Sequence, residues 1–580
     1  MKKVQMDKDH IYIDGVPMKI MSGAMHYFRV HPDYWRDRLL KLKELGCNCV
    51  ETYIAWSLHE KEEGVFDFSG WLDFGKYLDI AREMGLYAIV RPGPYICSEF
   101  DLGALPWWLL SYDGIALRTS DPLYLAKLTP YMERVCEHLA PRMIDAGGNV
   151  IFVQVENEYG SYGNDKAYLD YLRELLVKGG VTGPFITSDG AQELLQRNGG
   201  LSDVMASVNY RTESEAALSL LKRVRPEQPG AVMELWNGRA QHWGKPLPRR
   251  DVTEVARSLE TALAHAELVN LYMFHGGTSF GFLNGMDSPT AIHMTSYDVD
   301  APLDEYGRRT EKYYAEQRVI EKALGIRCPN TATDPVLYAY GEAEACGVAC
   351  VKRESVAKSL TSAFPLPMEK CGAGHGYIVY ETDIRLNGEG DALLLPAAND
   401  VAHVYLNGEY QGSVWREDTE REIPLHGTGD ARIAVFLENL GHCNFGEKMS
   451  ERKGLLGALT HVYRRNGYLC AKPMLMGYRT YTLPLDRLPS TYEDAPKTGA
   501  PAFYRYRFYA SEARDTCLHP QGFFRGVVFV NGFCLGRHWK IEHSPNKLYL
   551  PAPLMQKGWN EIVAFDVLAT DGEKRVYLGE

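Results

Sequence analysis

Residues 150–160, Val-Ile-Phe-Val-Gln-Val-Glu-Asn-Glu-Tyr-Gly, join an apolar run to a polar end that carries two acids. The apolar run predicts a buried strand of a parallel sheet over residues 150–159. Glu156 and Glu158 lie two positions apart, so we expect them on the same side of this strand. A carboxylate at the end of a buried strand is costly without a partner, and these two acids therefore need an explanation.

Outward from this stretch, apolar strand-like runs alternate with segments of helical period. The clearest helices are predicted over 34–45, followed by Gly46, and over 71–84, followed by Gly85. Eight such rounds in about 300 residues favour a closed (β/α)8 TIM barrel over residues 1–325 rather than an open doubly wound sheet. The eight strands are predicted over 18–27, 48–56, 86–96, 150–159, 184–189, 203–210, 231–236 and 268–275.

The helical period is absent beyond Lys322, where short alternating strands and Asn-Gly turns predict all-β structure. A repeat relates 404–412, Val-Tyr-Leu-Asn-Gly-Glu-Tyr-Gln-Gly, to 528–536, Val-Phe-Val-Asn-Gly-Phe-Cys-Leu-Gly. Two copies of strand, Asn-Gly hairpin and strand predict two sandwich domains of one type. We assign them to residues 326–485 and 486–580, with the Pro-rich stretch 484–501 as the connector. Sugar binding and a purely scaffolding role are both open for these domains.

The composition excludes several classes of protein. Lys and Arg number 63 against 75 Asp and Glu, and the basic residues are scattered, so no nucleic-acid partner is expected. No apolar run reaches the roughly 18 residues of a membrane helix, and residues 1–10 lack a secretory signal, which predicts a cytoplasmic protein without a membrane partner. The 12 cysteines lack zinc-site spacing, and nucleotide-binding motifs are absent, so we expect reduced thiols and neither a metal nor another cofactor.

Two acids stand at strand ends on nearly opposite sides of the predicted barrel. Glu158 follows the fourth strand, and Glu234 lies in the seventh, in the sequence Val-Met-Glu-Leu-Trp over 232–236. Catalytic groups of such barrels lie at these carboxyl ends. The alternative for either acid alone is an ion pair with an arginine of a neighbouring strand. A pair of carboxylates with different pKa values is what glycoside hydrolysis requires.

The motifs of the barrel are specific enough to indicate a family. They are Ser-Gly-Ala-Met-His-Tyr-Phe-Arg (22–29), Glu-Thr-Tyr-Ile-Ala-Trp-Ser-Leu-His-Glu (51–60), Arg-Pro-Gly-Pro-Tyr-Ile-Cys-Ser-Glu (91–99), Gln154 to Gly160, Met233-Glu234, Leu271 to Thr278, and Thr-Ser-Tyr-Asp (295–298). In this order they resemble family 35 of the glycoside hydrolases, which are retaining β-galactosidases. Segments around Asn407, Asn439 and Asn531 resemble the β domains of the same family. This resemblance implies that the two sandwich domains are of the jelly-roll, galactose-binding-like type.

The resemblance implies roles for individual residues. Glu158 matches the family's acid/base and Glu234 its nucleophile, which implies a covalent galactosyl-enzyme intermediate. Asn157 matches the residue that binds the sugar 2-OH, and Glu99 the carboxylate that binds sugar hydroxyls. The substrate-binding residues implied together are Tyr53, Ile96, Cys97, Glu99, Asn157, Trp236, Tyr272 and Tyr297. For Cys97 the alternative is a small buried apolar residue.

The sequence departs from the family around the sugar pocket. Arg239 and Gln241 replace an aromatic residue and an acid, and Val299 replaces a tyrosine. The resemblance therefore implies an exo-acting β-galactosidase of short oligosaccharides, with β-1,3 linkages favoured, but leaves open another glycon, as in an exo-β-glucosaminidase or a glucosyl-transferring enzyme. A non-catalytic sugar-binding protein is disfavoured by the two acids. Members of this family are often dimers, which leaves a homodimer open.

Overall fold

The computed structural model describes residues 2–297, 300–352 and 356–580. Eight parallel strands close into a barrel, numbered here as barrel strands 1 to 8 and hydrogen-bonded in the cyclic order 7-8-1-2-3-4-5-6. The predicted TIM barrel is therefore confirmed. Barrel strands 1 to 8 are Ile20–Met25, Cys49–Tyr53, Tyr87–Arg91, Val150–Gln154, Phe185–Gly190, Met205–Tyr210, Ala231–Trp236 and Leu268–His275.

Helices surround the barrel and alternate with its strands. Gly46 ends helix α1 in a left-handed conformation, with φ 106°, and a Cβ atom there would lie 2.7 Å from Ile320, so glycine satisfies both requirements. The helices are α1 Trp35–Leu45, α2 Trp56–His59, α3 Phe74–Glu83, α4 Pro122–Leu139, α5 Lys166–Lys178, α6 Glu193–Gly199, α7 Ser214–Val224, α8 Val252–His265 and α9 Glu311–Leu324.

A small N-terminal sheet closes the amino end of the barrel. Its middle strand buries Ile11 and Ile13 against apolar residues such as Ile20, Phe152 and Met233. The strands of this sheet are Val4–Met6, Ile11–Ile13 and Val16–Pro17. Apolar side chains therefore fill this end of the barrel, and the carboxyl ends of the strands form its open mouth.

The rest of the chain forms antiparallel sheets, as predicted. The hairpin turns at Asn407-Gly408 and Asn531-Gly532 both form, and each Asn is left-handed, with φ 51° and 49°. The first β domain has a six-stranded sheet of Lys358–Ser362, Tyr478–Leu483, Tyr377–Asn387, Thr428–Glu438, Val401–Leu406 and Glu409–Trp415, a four-stranded sheet of Glu422–Pro424, Ala392–Leu394, Thr460–Arg465 and Tyr468–Ala471, and the pair Ala398–Asn399 and Gly454–Leu455.

The last β domain takes two strands from the segment that follows the barrel. Glu344–Cys350 pairs antiparallel with Ala502–Ala510, and Gly341–Glu342 pairs with Arg575–Gly579. The sequence placed 341–350 in the first β domain, and the structure corrects this placement. The sheets of this domain are Glu344–Cys350, Ala502–Ala510, Gly558–Asp566, Arg525–Val530 and Phe533–Trp539, and Gly341–Glu342, Arg575–Gly579, Thr516–Gln521 and Leu548–Leu550.

Both β domains pack on the loops at the open end of the barrel. Trp243 and Met286, from loops after barrel strands 7 and 8, share one apolar cluster with Val401 and Trp539 of the two β domains. The buried Arg537 of the last domain donates to the side chain of Asn284 at 2.6 Å. This packing holds the loops that surround the barrel mouth. No helix in the described part of the chain combines the length and apolar character needed to cross a bilayer.

Candidate active site

Glu234 lies in barrel strand 7 and points into a cluster of donors. Arg91 of barrel strand 3 donates from Nη2 to Glu234 Oε1 at 2.8 Å, and the Tyr53 hydroxyl donates to the same oxygen at 3.3 Å. The indole Nε1 of Trp236 donates to Oε2 at 2.9 Å. The Glu234 side chain is only 7% exposed, and such burial disfavours a negative charge. The guanidinium and the two uncharged donors offset this cost by stabilising the carboxylate.

Glu158 follows barrel strand 4 and reaches the same mouth. Its backbone is left-handed, with φ 45°, and its N–H donates to the carbonyl of Ser188 on barrel strand 5 at 2.9 Å. The side-chain amide of Asn209 donates to Glu158 Oε1 at 3.1 Å. Glu158 therefore has an uncharged hydrogen-bond partner where Glu234 has a guanidinium.

Asn209 connects the two acids. It is the register partner of Glu234 in the pairing of barrel strands 6 and 7, and its amide reaches Glu158. Burial, and then the negative charge of Glu234, raise the pKa of Glu158 to about 8. The two carboxyl groups thus lie close enough to interact electrostatically, and at neutral pH Glu158 holds a proton beside the carboxylate of Glu234.

Glu156 does not lie on the same side as Glu158, contrary to the sequence-based expectation. Barrel strand 4 ends at Gln154, and Glu156 has a left-handed backbone, with φ 58°, so the alternation of an extended strand no longer applies. Arg118 holds the carboxylate of Glu156 with two hydrogen bonds, of 2.9 and 2.8 Å, and both side chains are fully buried. Glu156 is therefore held in an ion pair, but its arginine comes from a loop and not, as the sequence-based alternative for strand-end acids had it, from a neighbouring strand.

The substitution Arg118→Met is expected to destabilise the barrel by about 3–5 kcal/mol, because it leaves the Glu156 carboxylate buried and unpaired. The melting temperature, measured by scanning calorimetry, should fall clearly. Arg134→Met is the matched control: it breaks an exposed pair with Glu137 and should cost about 0–1 kcal/mol. Equal shifts for the two variants would show that the buried pair has no special role.

The loop after barrel strand 3 holds side chains in an unusual backbone. Cys97, Ser98 and Glu99 are consecutive left-handed residues, with φ 59°, 61° and 50°. Such a conformation costs roughly 1–2 kcal/mol per residue and persists only where surrounding contacts impose it. Arg29, which is buried, imposes it here by donating to Ser98 Oγ and to the Ser98 carbonyl, both at 2.6 Å. The loop thereby presents Cys97 and Glu99 at the barrel mouth.

Glu99 belongs to a chain of hydroxyl contacts. The Tyr297 hydroxyl donates to Glu99 Oε2, and the Tyr272 hydroxyl lies 2.8 Å from that of Tyr297. The Tyr272 ring stacks on Tyr53, with centroids 6.1 Å apart, and Tyr53 contacts Glu234. The structure therefore brings Glu99, Tyr297, Tyr272 and Tyr53 together on one side of Glu234.

The other predicted site residues differ in whether they contact the two acids. Trp236 contacts Glu234, whereas Ile96 is fully buried in the main core of the barrel. Asn157 is buried, and its Oδ1 accepts from Gln154 at 3.3 Å. Burial raises the pKa of the Cys97 thiol well above its usual range, so this side chain stays neutral.

The departures from the family pattern differ in their surroundings. Arg239 is exposed. Gln241 donates to the backbone carbonyls of Lys245 at 3.4 Å and His543 at 3.3 Å, so its amide joins the barrel loop to the last β domain. Val299 lies outside the described residues.

Four residues of the site were not assigned a role from the sequence. Arg91 contacts Glu234, Asn209 contacts Glu158, and Arg29 holds the loop with Glu99. Glu51 of barrel strand 2 is buried 3.9 Å from Arg91, and burial raises its pKa to about 8. A charged residue in an apolar strand was the available signal for Arg91 and Glu51, but nothing in the spacing indicates their partners across the barrel.

This arrangement places a proton donor and a carboxylate together at the mouth of the barrel. Glu158 is an acid that retains its proton near neutral pH, and Glu234 is a carboxylate held by a guanidinium. Glu99 and the tyrosines supply hydrogen-bonding groups beside them. Such an arrangement is suited to breaking an acetal C–O bond, because one group protonates the departing oxygen while the other stabilises or attacks the carbon.

Sequence profiles and curated relatives indicate the same family. The sequence profile of "Glycosyl hydrolases family 35" matches residues 10–323, and those of "Beta-galactosidase, first all-beta domain" and "Beta-galactosidase, galactose-binding domain" match 365–464 and 501–560. The chain is 36% identical to human "Beta-galactosidase-1-like protein 2", over 94% of this chain and 87% of the relative. It is 37% identical to a "Beta-galactosidase" of Xanthomonas manihotis, over 91% and 88%.

Proposed function

The chain belongs to glycosyl hydrolases family 35 and is a glycoside hydrolase, and from this premise we propose that it is a retaining exo-β-galactosidase of short oligosaccharides. The observation that carries the proposal is the unequal pair of carboxyl groups. Arg91 stabilises the charge of Glu234, whereas burial and a like charge keep a proton on Glu158. A retaining mechanism needs one ionised nucleophile and one protonated acid, with about 5–5.5 Å between them.

In the first step Glu234 attacks the anomeric carbon and Glu158 protonates the departing oxygen. Oε1 of Glu234 already accepts two hydrogen bonds, from Arg91 and Tyr53, whereas Oε2 accepts one, from Trp236. Oε2 therefore has a lone pair available, and we assign the attack to it. The C–O bond to the aglycon breaks, a bond from Oε2 to the sugar forms, and the proton of Glu158 leaves with the aglycon.

In the second step Glu158 acts as the base. Once Glu234 is an ester it is neutral, so the charge that raises the pKa of Glu158 is removed and its carboxylate becomes stable near neutral pH. Glu158 then takes a proton from water, the water oxygen bonds to the anomeric carbon, and the ester bond to Glu234 breaks. The raised pKa of Glu158 in the free enzyme is thus consistent with its role as the base in the second step.

The glycon pocket is formed on the side of Glu99. Glu99, Tyr297 and Tyr272 make a half-buried to buried hydrogen-bonding chain, which supports recognition of sugar hydroxyls by direction. Asn157, next to the acid in the chain, is assigned to the 2-OH. These hydrogen-bonding groups on one side of Glu234 support binding of a single terminal sugar there, which is the exo mode. The preference for β-1,3 linkages rests on the family resemblance.

A second glycon is favoured by one observation. Arg239 is exposed at the position where the family commonly has an aromatic residue beside the sugar. An exposed guanidinium does not supply the same apolar contact to the C5–C6 edge of galactose. An exo-β-glucosaminidase or a glucosyl-transferring enzyme with the same two-step chemistry is therefore the alternative.

A panel of aryl β-glycosides is expected to show the highest kcat/KM for the galactoside. The panel should contain the β-galactoside, β-glucoside and β-N-acetylglucosaminide or β-glucosaminide with the same aryl leaving group, so that only the glycon varies. The measured quantity is the ratio of kcat/KM values, which reports transition-state discrimination. Turnover of the glucoside or glucosaminide without turnover of the galactoside would replace the galactosidase assignment by the alternative.

We also propose a reducing compartment such as the cytoplasm. The 12 cysteines are all free thiols, including the exposed Cys346 and Cys470. Exposed thiols persist where glutathione or thioredoxin keeps them reduced. Imported short oligosaccharides would be the substrates available there.

A further inference from the structure

Three potential metal ligands share one face of a small β-ribbon at the rim of the barrel. His242 comes from the loop after barrel strand 7. Asp287 lies in the first strand of the hairpin Met286–Ser288 and Ala291–Ile292, which follows barrel strand 8, and His293 comes directly after its second strand. His242 and His293 are partners in an antiparallel bridge. Side chains of directly opposite residues in such a bridge lie on one face, about 4.5–5.5 Å apart at Cβ.

The donor atoms of these residues converge. The Nε2 atom of His242 lies 2.9 Å from one carboxylate oxygen of Asp287, and the Nε2 atom of His293 lies 3.0 Å from the other. One ligand atom from each residue fits within a set whose members all lie within 4.8 Å of one another. The imidazole rings are 4.6 Å apart. Two imidazole nitrogens and a carboxylate oxygen form a donor set that Zn²⁺ uses in proteins.

The hydrogen bonds of the cluster leave one buried group unsatisfied. If both Nε2 atoms donate to Asp287, both must be protonated, and the Nδ1 atom of His293 then has no partner among the described residues. The His293 side chain is 3% exposed, so water does not readily satisfy it. A cation on Nε2 would place the proton of the neutral imidazole on Nδ1 and so turn this atom into a donor, which in metal-bound histidines is normally paired with a carboxylate, a carbonyl or water.

The charge and access of the cluster also suit a cation. Asp287 places its carboxylate between the two imidazoles, with one oxygen facing each Nε2 atom. The Asp287 side chain is 42% exposed and His242 is 14% exposed, which leaves a route from solvent and room for a water ligand. Met286 and Ile292 pack in the cluster shared by the three domains and hold the ribbon in place.

We propose that His242, Asp287 and His293 bind one divalent transition-metal cation of the Zn²⁺ type, with water completing the coordination. The ion would tie the loop after barrel strand 7 to the hairpin after barrel strand 8. This hairpin adjoins the predicted sugar pocket, because the N–H of Gly285 donates to the carbonyl of Glu99 at 3.0 Å. The site is one of loop attachment, and it does not depend on the roles assigned to Glu158 and Glu234.

Metal binding by the purified, chelator-treated chain tests the proposal. We expect the protein to take up one equivalent of Zn²⁺ in equilibrium dialysis, and Co²⁺ to give the visible absorption of a four-coordinate site without a thiolate charge-transfer band. The background should carry Cys346→Ser and Cys470→Ser, because both thiols are exposed and bind metal nonspecifically. The variants His242→Ala and Asp287→Asn should no longer bind the one equivalent of Zn²⁺. The control His426→Ala removes an exposed histidine elsewhere and should keep it.

Thermal melting gives a second readout. Zn²⁺ should raise the melting temperature of the parent protein and of His426→Ala, because a ligand that binds only the folded state stabilises it, and should leave His242→Ala and Asp287→Asn unchanged. The proposal is overturned if the parent takes up no Zn²⁺, or if it binds the same amount as His242→Ala and Asp287→Asn. The result does not depend on which glycoside the enzyme cleaves, so it is separable from a failure of the proposed function.

Discussion

Replacing Glu234 with Gln is expected to lower kcat on aryl β-galactosides by roughly 10³-fold or more, about 4 kcal/mol of barrier. The amide is nearly isosteric but is a poor nucleophile, and it places an uncharged group beside Arg91, which donates to Oε1 of the native carboxylate at 2.8 Å. Steady-state kinetics with one aryl galactoside measures the loss. Glu51→Gln is the matched control, because Glu51 is also buried near Arg91 but holds its proton near neutral pH. It should cost far less.

Azide distinguishes a nucleophile from any other essential acid. In Glu234→Ala a small anion can enter the vacated space and attack the anomeric carbon from the face of the missing carboxylate. A β-galactoside should then give the α-galactosyl azide, identified by NMR. Formation of the β-azide by this variant, or a Glu51→Gln loss as large as that of Glu234→Gln, would contradict the assignment of Glu234 as nucleophile.

Replacing Glu158 with Gln is expected to divide substrates by their leaving group. Oligosaccharides with a sugar leaving group need protonation of the departing oxygen and should lose roughly 10²–10⁴-fold in kcat/KM. In an aryl galactoside with an acidic phenol, the phenolate departs without that proton. The rate of the first step should therefore be largely retained for such substrates. Asn209 stays available to donate to the Gln oxygen, as it does to Glu158 Oε1 at 3.1 Å. Equal losses for both kinds of substrate would argue against Glu158 as the acid.

The pH profile provides an independent check of the same residue. Burial and the charge of Glu234 raise the pKa of Glu158 to about 8, so the acid form is present below that pH and is lost as the pH rises through it. We therefore expect kcat/KM for a sugar leaving group to fall above about pH 8 in the native enzyme. In Glu158→Gln this basic limb should be absent. Azide should rescue Glu158→Ala as the β-galactosyl azide, because it attacks the ester intermediate from the opposite face.

The architecture of the barrel followed from local pattern. Barrel strands 7 and 8, Ala231–Trp236 and Leu268–His275, have the predicted bounds, because apolar runs between helices of clear period leave few alternatives. The fourth strand was predicted five residues too long: it ends at Gln154, and the polar residues that follow leave the extended conformation, with left-handed backbone at Glu156 and Glu158. The pairing of 344–350 with 502–510 was missed because the partner lies some 150 residues away, and local pattern does not encode such a pairing.

In the candidate site, too, local features were predictable from the sequence and long-range contacts were not. The strand-end positions of Glu158 and Glu234 were recognisable in the sequence, but Glu156, two residues before Glu158, is the same residue type in the same stretch, and only the family motif separated the two. Its partner Arg118 belongs to a separate loop, and only the fold brings the two together at 2.8 Å. The proposed metal ligands were missed for the same reason, because the spacing from His242 to Asp287 resembles no metal motif.

The sequence by itself determined that a barrel forms, that β domains follow it, and which acids stand at strand ends, because these depend on the period of apolar residues and on short motifs. Only the tertiary structure decided which acid meets a guanidinium and which keeps a proton. Arg91 reaches Glu234 and Asn209 reaches Glu158 because barrel closure brings together strands that are far apart in the chain. The protonation state of a buried carboxyl group depends on the charges within a few ångströms of it, and the fold determines which charged groups lie that close.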